Sequence, residues 1–403
     1  LSGDIIADGF FSAADGVPAN NIARYTPATN TWTPMGAGTS GHLTFITALS
    51  NDDLYAVGQF PPSTTLRFSR YNAAAGAWTA CPSDMQTNGD VQLMRQIPGG
   101  DIIIAGAFSL AGFGTPQSAL QVNNIGRYHP ATHTWSAMGA GVSGASTQPR
   151  FFSSLVLANG DVIIGGQFHT AGGVTVNNIA RYTPATNTWS ALGTGIGGEY
   201  ANVYALLALP NGDLLAGGEF DPAGGLDASS IARYSFTTGA WSSIGWPAEA
   251  RYVYAMANLP DGDVLIGGGF PPGLDSIVRF HPATGTWRPL GTGLTGSDAP
   301  NVRSIIVLPR GRGDVIVGGS FSAAGGHPAS NFARYTSGLS CCGSADFNND
   351  GDSGTDADIE AFIACIAGNC CAACGSADFN NDGDVGTDAD IEAFFRVLGG
   401  GRC

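Results

Sequence analysis

The 403-residue chain contains no lysine, and all 17 of its cations are arginine. A Schiff-base amine and a phosphate-cradling P-loop both need lysine, so both chemistries are excluded. Charged residues make up only 12% of the chain, and acids dominate to a net charge of −15. The imbalance is uneven. Residues 341–403 carry ten Asp and two Glu against two Arg, a net of −10, while the preceding 340 residues carry −5. Nucleic acid and anionic membrane are held by basic patches, so neither is an expected partner. No run approaches the ~18 apolar residues of a membrane span, so membrane insertion is not expected. The six histidines cluster with no Ser or Cys by motif. A nucleophile needs a partnered base, so no catalytic residue is assigned. Cysteine is nearly missing from the body, where Cys81 stands alone.

The other seven cysteines, Cys341, Cys342, Cys365, Cys370, Cys371, Cys374 and Cys403, crowd the acidic end. That density predicts disulfides and an oxidising compartment, without giving their connectivity. Cys371-x-x-Cys374 has no second such pair at finger spacing, which weighs against zinc.

What is present in abundance is one phrase, Arg-Tyr-x-Pro-Ala-Thr-x-Thr-Trp. It is clearest at Arg24–Trp32, Arg127–Trp135 and Arg181–Trp189, and looser at Arg70–Trp78, Arg233–Trp241 and Arg279–Trp287. A seventh copy starts at Arg334 and breaks off before its Trp. A period of roughly 45–57 residues signals stacked repeats, because one such unit cannot bury its own apolar face. Each unit reads as four short strands. In the fourth unit the apolar run Phe151–Leu157 is the first, and Asn159-Gly160 is a type I′ hairpin signal. Asp161–Phe168 with its double glycine is the second, Asn178–Tyr182 the third and Thr188–Gly193 the fourth. Four strands in meander order make a propeller blade. The expected fold is therefore all-β, a seven-bladed β-propeller, with six blades as the alternative if two partial end units merge. Leu1-Ser2-Gly3-Asp4 aligns with the Pro-Asn-Gly-Asp turn of later units, so the given sequence is expected to start mid-unit, lacking an N-terminal strand.

The double glycine, Tyr, and Trp seven residues later resemble the kelch repeat. They also resemble the Gly-Gly-x-Phe-x-x-Ala-Gly-Gly repeats of secreted bacterial propellers. The resemblance covers residues 1–338 and implies fold far more than function, since kelch-like propellers include binding modules and enzymes. Seven Asp (4, 53, 101, 161, 213, 263, 314) and seven Arg (24, 70, 127, 181, 233, 279, 334) recur at fixed positions. Recurrence in every unit reads as structural, because active sites break symmetry. The Trp series reads as packing anchors for the same reason. The segments between strands two and three, and between units, vary in length and composition. They form the expected binding face.

Over 339–403 a second, smaller domain is expected. Asp346, Asn348, Asp350 and Asp352, with Gly351, form the first half of an EF-hand-type loop, and Asp378, Asn380, Asp382 and Asp384 repeat it 32 residues later. Converging oxygens and a sharp glycine turn predict calcium as the cofactor. Amphipathic helices follow, with Ile359, Phe362, Ile363 and Ile366 on one face of the first and Ile391, Phe394, Phe395 and Leu398 on the second. Two such loop–helix copies resemble a dockerin module. The position that should close each loop holds Ala357 or Ala389. Either Asp358 and Asp390 close the loops through a bulge, or Asp356 and Asp388 serve. The resemblance implies a cohesin-like partner contacted by Thr355, Asp356, Thr387 and Asp388. The plainer alternative is a calcium- and disulfide-stapled module used for anchoring or stability.

The resulting expectation is a secreted or cell-surface binding or scaffold protein. Its propeller takes a ligand, a polysaccharide among the candidates, and its tail anchors it to a partner or surface. The competing expectation is a carbohydrate-active lyase, hydrolase or oxidase on the propeller, with the tail as a targeting module.

Overall fold

The computed structural model describes residues 3–398 except 42, 50–52, 62–65, 113–118, 198–200, 246–251, 271–275, 297–299, 309–313, 337–344, 349, 372–373, 375 and 380–384. They divide into two compact units. One comprises Leu1–Asn258, Gly262–Ile305 and Gly318–Asn331, and the other Leu259–Asp261, Ile306–Val317 and Phe332–Cys403.

The first unit is built from antiparallel meanders. One four-stranded example orders Arg150–Val156, Val162–Gln167, Ile179–Thr183 and Thr188–Ala191. Its neighbours begin with Phe45–Ala48, Asp90–Gln96, Asn202–Ala208 and Tyr252–Asn258, while the first sheet has three strands, starting at Ile5–Asp8. The second strands are buried on both faces, as their unbroken Val/Ile/Leu runs require. The first strands of successive sheets lie side by side in chain order.

The double glycine is what allows that approach. A Cβ at Gly165 would collide with Val203 of the next sheet's first strand, and Gly217 and Gly267 stand in the same relation to Val253 and Val302. A Cβ at Gly166 would overlap the Arg150 carbonyl of its own sheet.

The hairpin after the first strand differs from the type I′ expectation. Gly160 has φ +85°, but Asn159 is not in the left-handed region. The Asn159 side chain instead locks the turn. Its Oδ1 accepts from the Asp161 amide at 3.1 Å, and its Nδ2 donates to Asp161 Oδ2 at 2.9 Å. The second turn of each unit does need a left-handed residue. Asn30, His133 and Asn187 occupy it with φ of 53–57°, and Gly76, Gly239 and Gly285 with 63–69°. That conformation favours Gly and Asn.

Four of the sheets are hooked to the one before by the repeated tryptophan. The indole Nε1–H of Trp78, Trp135, Trp189 and Trp241 donates to the carbonyls of Met35, Asp84, Met138 and Leu192, at 2.7–3.1 Å. Each ring also packs on the Tyr of its own phrase, as Trp189 does on Tyr182 at 5.0 Å. The anchoring role expected of these residues is thus met by a hydrogen bond as well as by burial.

The second unit carries the two α-helices among the described residues, α1 (Asp356–Ile366) and α2 (Asp388–Leu398). Its core is Phe347, Phe362, Phe379 and Phe394, all fully buried, with Phe362 and Phe394 stacked at 4.0 Å. Each such ring contributes about 2–3 kcal/mol of apolar burial. Of the expected helix faces, Phe362 and Phe394 turn inward, whereas Ile363 and Phe395 are 54% and 48% exposed. Gly354 (φ +73°) lies against Leu398 of α2, and Gly386 (φ +69°) against Ile366 of α1, so the two copies cover each other reciprocally. Cys365 pairs with Cys370 and Cys371 with Cys374, while Cys81 is free and buried.

Candidate ligand face and acidic loop

The two ends of the sheets carry different side chains. At the hairpin end, the repeated Asp and Arg pair within each sheet. Arg127 Nε reaches Asp101 at 2.7 Å, Arg233 Nε reaches Asp213 at 2.7 Å, and Arg181 and Arg279 hold Asp161 and Asp263 still more closely. Arg24–Asp4, Arg70–Asp53 and Arg334–Asp314 complete the series. Burial alone would raise the carboxyl pKa of Asp161, Asp213 and Asp263, but hydrogen bonds led by the paired Arg outweigh it and hold them below the usual range. The turn histidines join this network. His129 Nδ1 lies 3.0 Å from Asp101, and His281 bonds Asp263. His133 Nδ1 lies 3.0 Å from Asp84. A pocket of about 540 Å³ opens beside Arg70, Cys81, Tyr128 and His133. Burial pushes the Cys81 thiol up to about 12, which makes it unreactive at neutral pH.

The opposite end, where the variable segments lie, is not repeated. Four first strands contain a bulge in which one residue has no partner across the ladder. That residue is Gln92, Phe152, Tyr204 and Tyr254 in turn. A bulge re-aims its side chain out of the regular pleat. Here it lifts three consecutive aromatic rings toward each other. Phe152 and Tyr204 meet edge to face at 5.0 Å, and Tyr204 and Tyr254 pack tilted at 5.2 Å. Tyr252 stacks on Tyr254 at 5.8 Å, and the Arg303 guanidinium lies 4.1 Å from the Tyr254 ring centre. Phe152 remains 38% exposed. The result is a wall running over successive first strands.

Polar groups rim this wall. Glu219, at the end of a second strand, accepts from Tyr204 Oη at 3.2 Å and from Asn202 Nδ2 at 3.4 Å. Burial first, and then Glu219, push the Tyr204 phenol well above its ordinary pKa. It is a fixed donor, not a base. Burial also raises Tyr254, against the opposing pull of Arg303. At the same end, a pocket of about 240 Å³ is bounded by Thr147, Gln167, His169 and Asn177. This is the end at which variable segments lead one to expect ligand binding, but the wall residues themselves carry no motif. Comparing the first strands at their bulge positions, where Gln92, Phe152, Tyr204 and Tyr254 differ while their flanks stay regular, would have exposed them.

In the second unit, carboxylate oxygens of Asp346, Asp350 and Asp358 gather within 4.8 Å of one another. Gly351, with φ +96°, makes the turn, and Asp346 accepts from the amides of Asp350 and Gly351 at 3.0 and 3.1 Å. Asn348 Nδ2 donates to Asp350 Oδ2 at 2.7 Å. Asp352 donates its amide to Asp350, and its side chain is not among the gathered groups. Asp358 is fully buried. It accepts from the Phe347 and Thr355 amides at 2.8 Å and from Thr355 Oγ1 at 2.9 Å, capping α1. Burial opposes its charge, but these donors win and lower its pKa. Asp356 is exposed on the first turn of α1 and is outside the cluster. In the second copy, Asp390 is buried and bonded to Thr387 in the same way, with Asp388 exposed beside it. Asp378 is described, whereas Asn380, Asp382 and Asp384 lie outside the described residues.

Calcium–oxygen contacts run about 2.3–2.6 Å, so oxygens within 4.8 Å of each other can all reach one ion. The donor set is entirely hard oxygen. Both observations fit calcium.

The profile of a family described as the Rax2 C-terminal beta propeller domain matches residues 154–251. No curated protein matches the chain in sequence. Among solved structures, the extracellular domain of a B. thetaiotaomicron protein described as a one-component system, BT4673, is similar at TM-score 0.52 and 12% identity. The match covers 82% of this chain and 38% of that one. The WD40 β-propeller domain of Doa1 gives 0.49 at 13% identity, covering 78% and 84%. PorZ, a surface component of the type-IX secretion system of Porphyromonas gingivalis, gives 0.44 at 15%, covering 78% and 44%. The chain thus spans well under half the length of the first of these proteins. At such identities the likeness concerns fold, and the fold is an all-β, propeller-like one. No helix among the described residues is long and apolar enough to cross a membrane.

Proposed function

We propose that this chain is a secreted or surface-attached binding protein. In this reading a kelch-like propeller of seven blades over 1–338 recognises a ligand, and a calcium-binding, dockerin-like module over 339–403 anchors it to a cohesin-like partner or to the cell surface. The observation that carries the proposal is the gathering of carboxylate oxygens of Asp346, Asp350 and Asp358 within 4.8 Å of one another in the most acidic part of the chain. Asp358 takes the loop-closing role one residue past Ala357, because the same carboxylate also caps α1. Asn348 adds a neutral oxygen. Asp378 and Asp390 take the corresponding roles in the second copy, with Asn380, Asp382 and Asp384 supplied by sequence repetition. Calcium here draws the loop and the helix start together, and it supplies charge neutralisation that the acidic module otherwise lacks.

Exposed Asp356 and Asp388, each beside its Thr355 or Thr387, present two similar docking surfaces. The disulfide pairs support an oxidising, extracellular location. The test is calorimetric calcium titration of the full oxidised chain. Two sites per chain, with a calcium-dependent rise in melting temperature of the module, are expected. No heat of binding at millimolar calcium would overturn the reading.

A further inference from the structure

The aromatic wall offers more than a generic surface. We propose that it is a subsite for an acidic oligosaccharide, a sugar chain bearing uronate carboxylates, and this rests on the binding reading of the propeller given above. Three features of the wall point there together. First, the rings of Phe152, Tyr204 and Tyr254 follow one another at 5.0 and 5.2 Å on consecutive strands, so they form a strip and not a single platform. Phe152 and Tyr204 match the apolar C–H faces of successive sugar rings in a chain, while Tyr254 seats Arg303 beside them. Second, the rim supplies fixed hydrogen-bonding groups. Glu219 is held as an acceptor by Tyr204 and Asn202, leaving lone pairs for sugar hydroxyls.

Third, the charge at the wall is unusual for this protein. The repeated arginines are all tied to aspartates at the other end of the sheets. Arg303 and Arg150 are exposed and make no ion pair among the described residues. Arg303 is positioned by the Tyr254 face, by the Tyr254 phenol and by donating Nε–H to Asn301 at 3.2 Å, which fixes the plane of its guanidinium. Arg150 begins the strand that carries Phe152. In a chain of net charge −15, an arginine seated on the aromatic strip and a second at the start of the strand that carries Phe152, neither of them in an ion pair among the described residues, select for a ligand carboxylate. A trimethylammonium ligand, which aromatic rings also attract, would face Arg303 already seated on Tyr254.

The proposal is for binding. Tyr204 enters it as a ring and a hydrogen-bond donor to Glu219 at 3.2 Å.

The experiment uses the full, calcium-saturated chain. Tetramers of galacturonate, mannuronate and guluronate are titrated calorimetrically, each beside its carboxyl-reduced neutral counterpart. At least one acidic tetramer is expected to bind about tenfold or more tightly than its neutral form, as a charge-assisted contact implies. Arg303→Gln should erase that preference while leaving the neutral form unchanged. Tyr204→Ala should weaken both forms at least tenfold. Tyr204→Phe, which keeps the ring and the fold, should cost no more than a few fold.

The proposal falls if no acidic tetramer is preferred, if Arg303→Gln leaves the preference intact, or if Tyr204→Ala binds as the parent does. Release of an unsaturated product would also overturn it. Calcium titration of the same samples keeps this result separate. A chain that binds two calcium ions but no uronate loses the present inference alone, and a chain that binds uronate but no calcium loses the anchoring reading alone.

Discussion

At the hairpin end of the sheets, Asp161 meets Arg181, Asp213 meets Arg233 and Asp263 meets Arg279, sheet after sheet. At the other end the same strands present Gln92, then Phe152, then Tyr204, then Tyr254, with Arg303 following. The backbone is alike at both ends, bulges included. Where every unit needs the same solution, as for a buried carboxylate at a tight turn, the same residues recur. Where the backbone merely supplies a position, the side chain is free to differ. Function in a repeat protein is best sought at positions whose backbone repeats and whose side chain does not.

That contrast can be broken by substitution. The largest effect is expected for Gly166→Ala, whose methyl would overlap the Arg150 carbonyl; we expect a loss of about 3 kcal/mol in urea unfolding. A loss under about 0.5 kcal/mol would mean that the bulge is not tightly held.

Next is Asp358→Ala in the terminal unit. It strands the Phe347 and Thr355 amides and should cost about 2–3 kcal/mol and one of the two calcium sites. Intact two-site titration would show that Asp358 is a cap and not a ligand.

Arg181→Ala should cost about 2 kcal/mol at neutral pH, because it leaves the Asp161 carboxylate, with a side chain 6% exposed, without its cation. The folded pKa of Asp161 lies below the unfolded one, so its contribution is full above the ordinary carboxylate range of about 4 and is lost as pH falls through the folded value. The stability gap between parent and variant should therefore be widest near neutrality and close in acid. A gap that widened in acid would refute the pairing.

Trp189→Phe, which removes the bond to the Met138 carbonyl together with part of a buried ring, should cost about 2 kcal/mol. Tyr204→Phe should change stability least, by about 0.5 kcal/mol or less. A large loss there would place the wall among the structural parts and erase the contrast.

Much of the architecture was legible. The recurring Arg-Tyr-x-Pro-Ala-Thr phrase located the third and fourth strands, and the alternation of Asn, His and Gly at 30, 133, 187, 76, 239 and 285 marks a left-handed residue directly. The wall was not legible, for a specific reason. Phe151-Phe152-Ser153 reads as one apolar strand, and period-two reasoning assigns its faces by counting. A bulge at Phe152 adds one residue to the count and reverses which side chains are exposed beyond it. In the terminal unit, the spacing left Asp356 and Asp358 as rivals. The helix start separates them, because Asp358 is the third residue of α1, aimed back at the loop, while Asp356 faces outward. Ile363 and Phe395 each follow an inward-facing phenylalanine by one residue, and one step around a helix of 3.6 residues per turn carries them to the outer side, 54% and 48% exposed.

The tryptophan hooks carry one more implication, for the order in which the chain is made. Each donor indole comes 43–51 residues after its carbonyl acceptor. A polypeptide leaving the ribosome N-terminus first therefore exposes every acceptor before the donor that will seize it. Each of these four sheets, as it emerges, finds its docking point already outside and waiting, and none has to wait for sequence still to be translated.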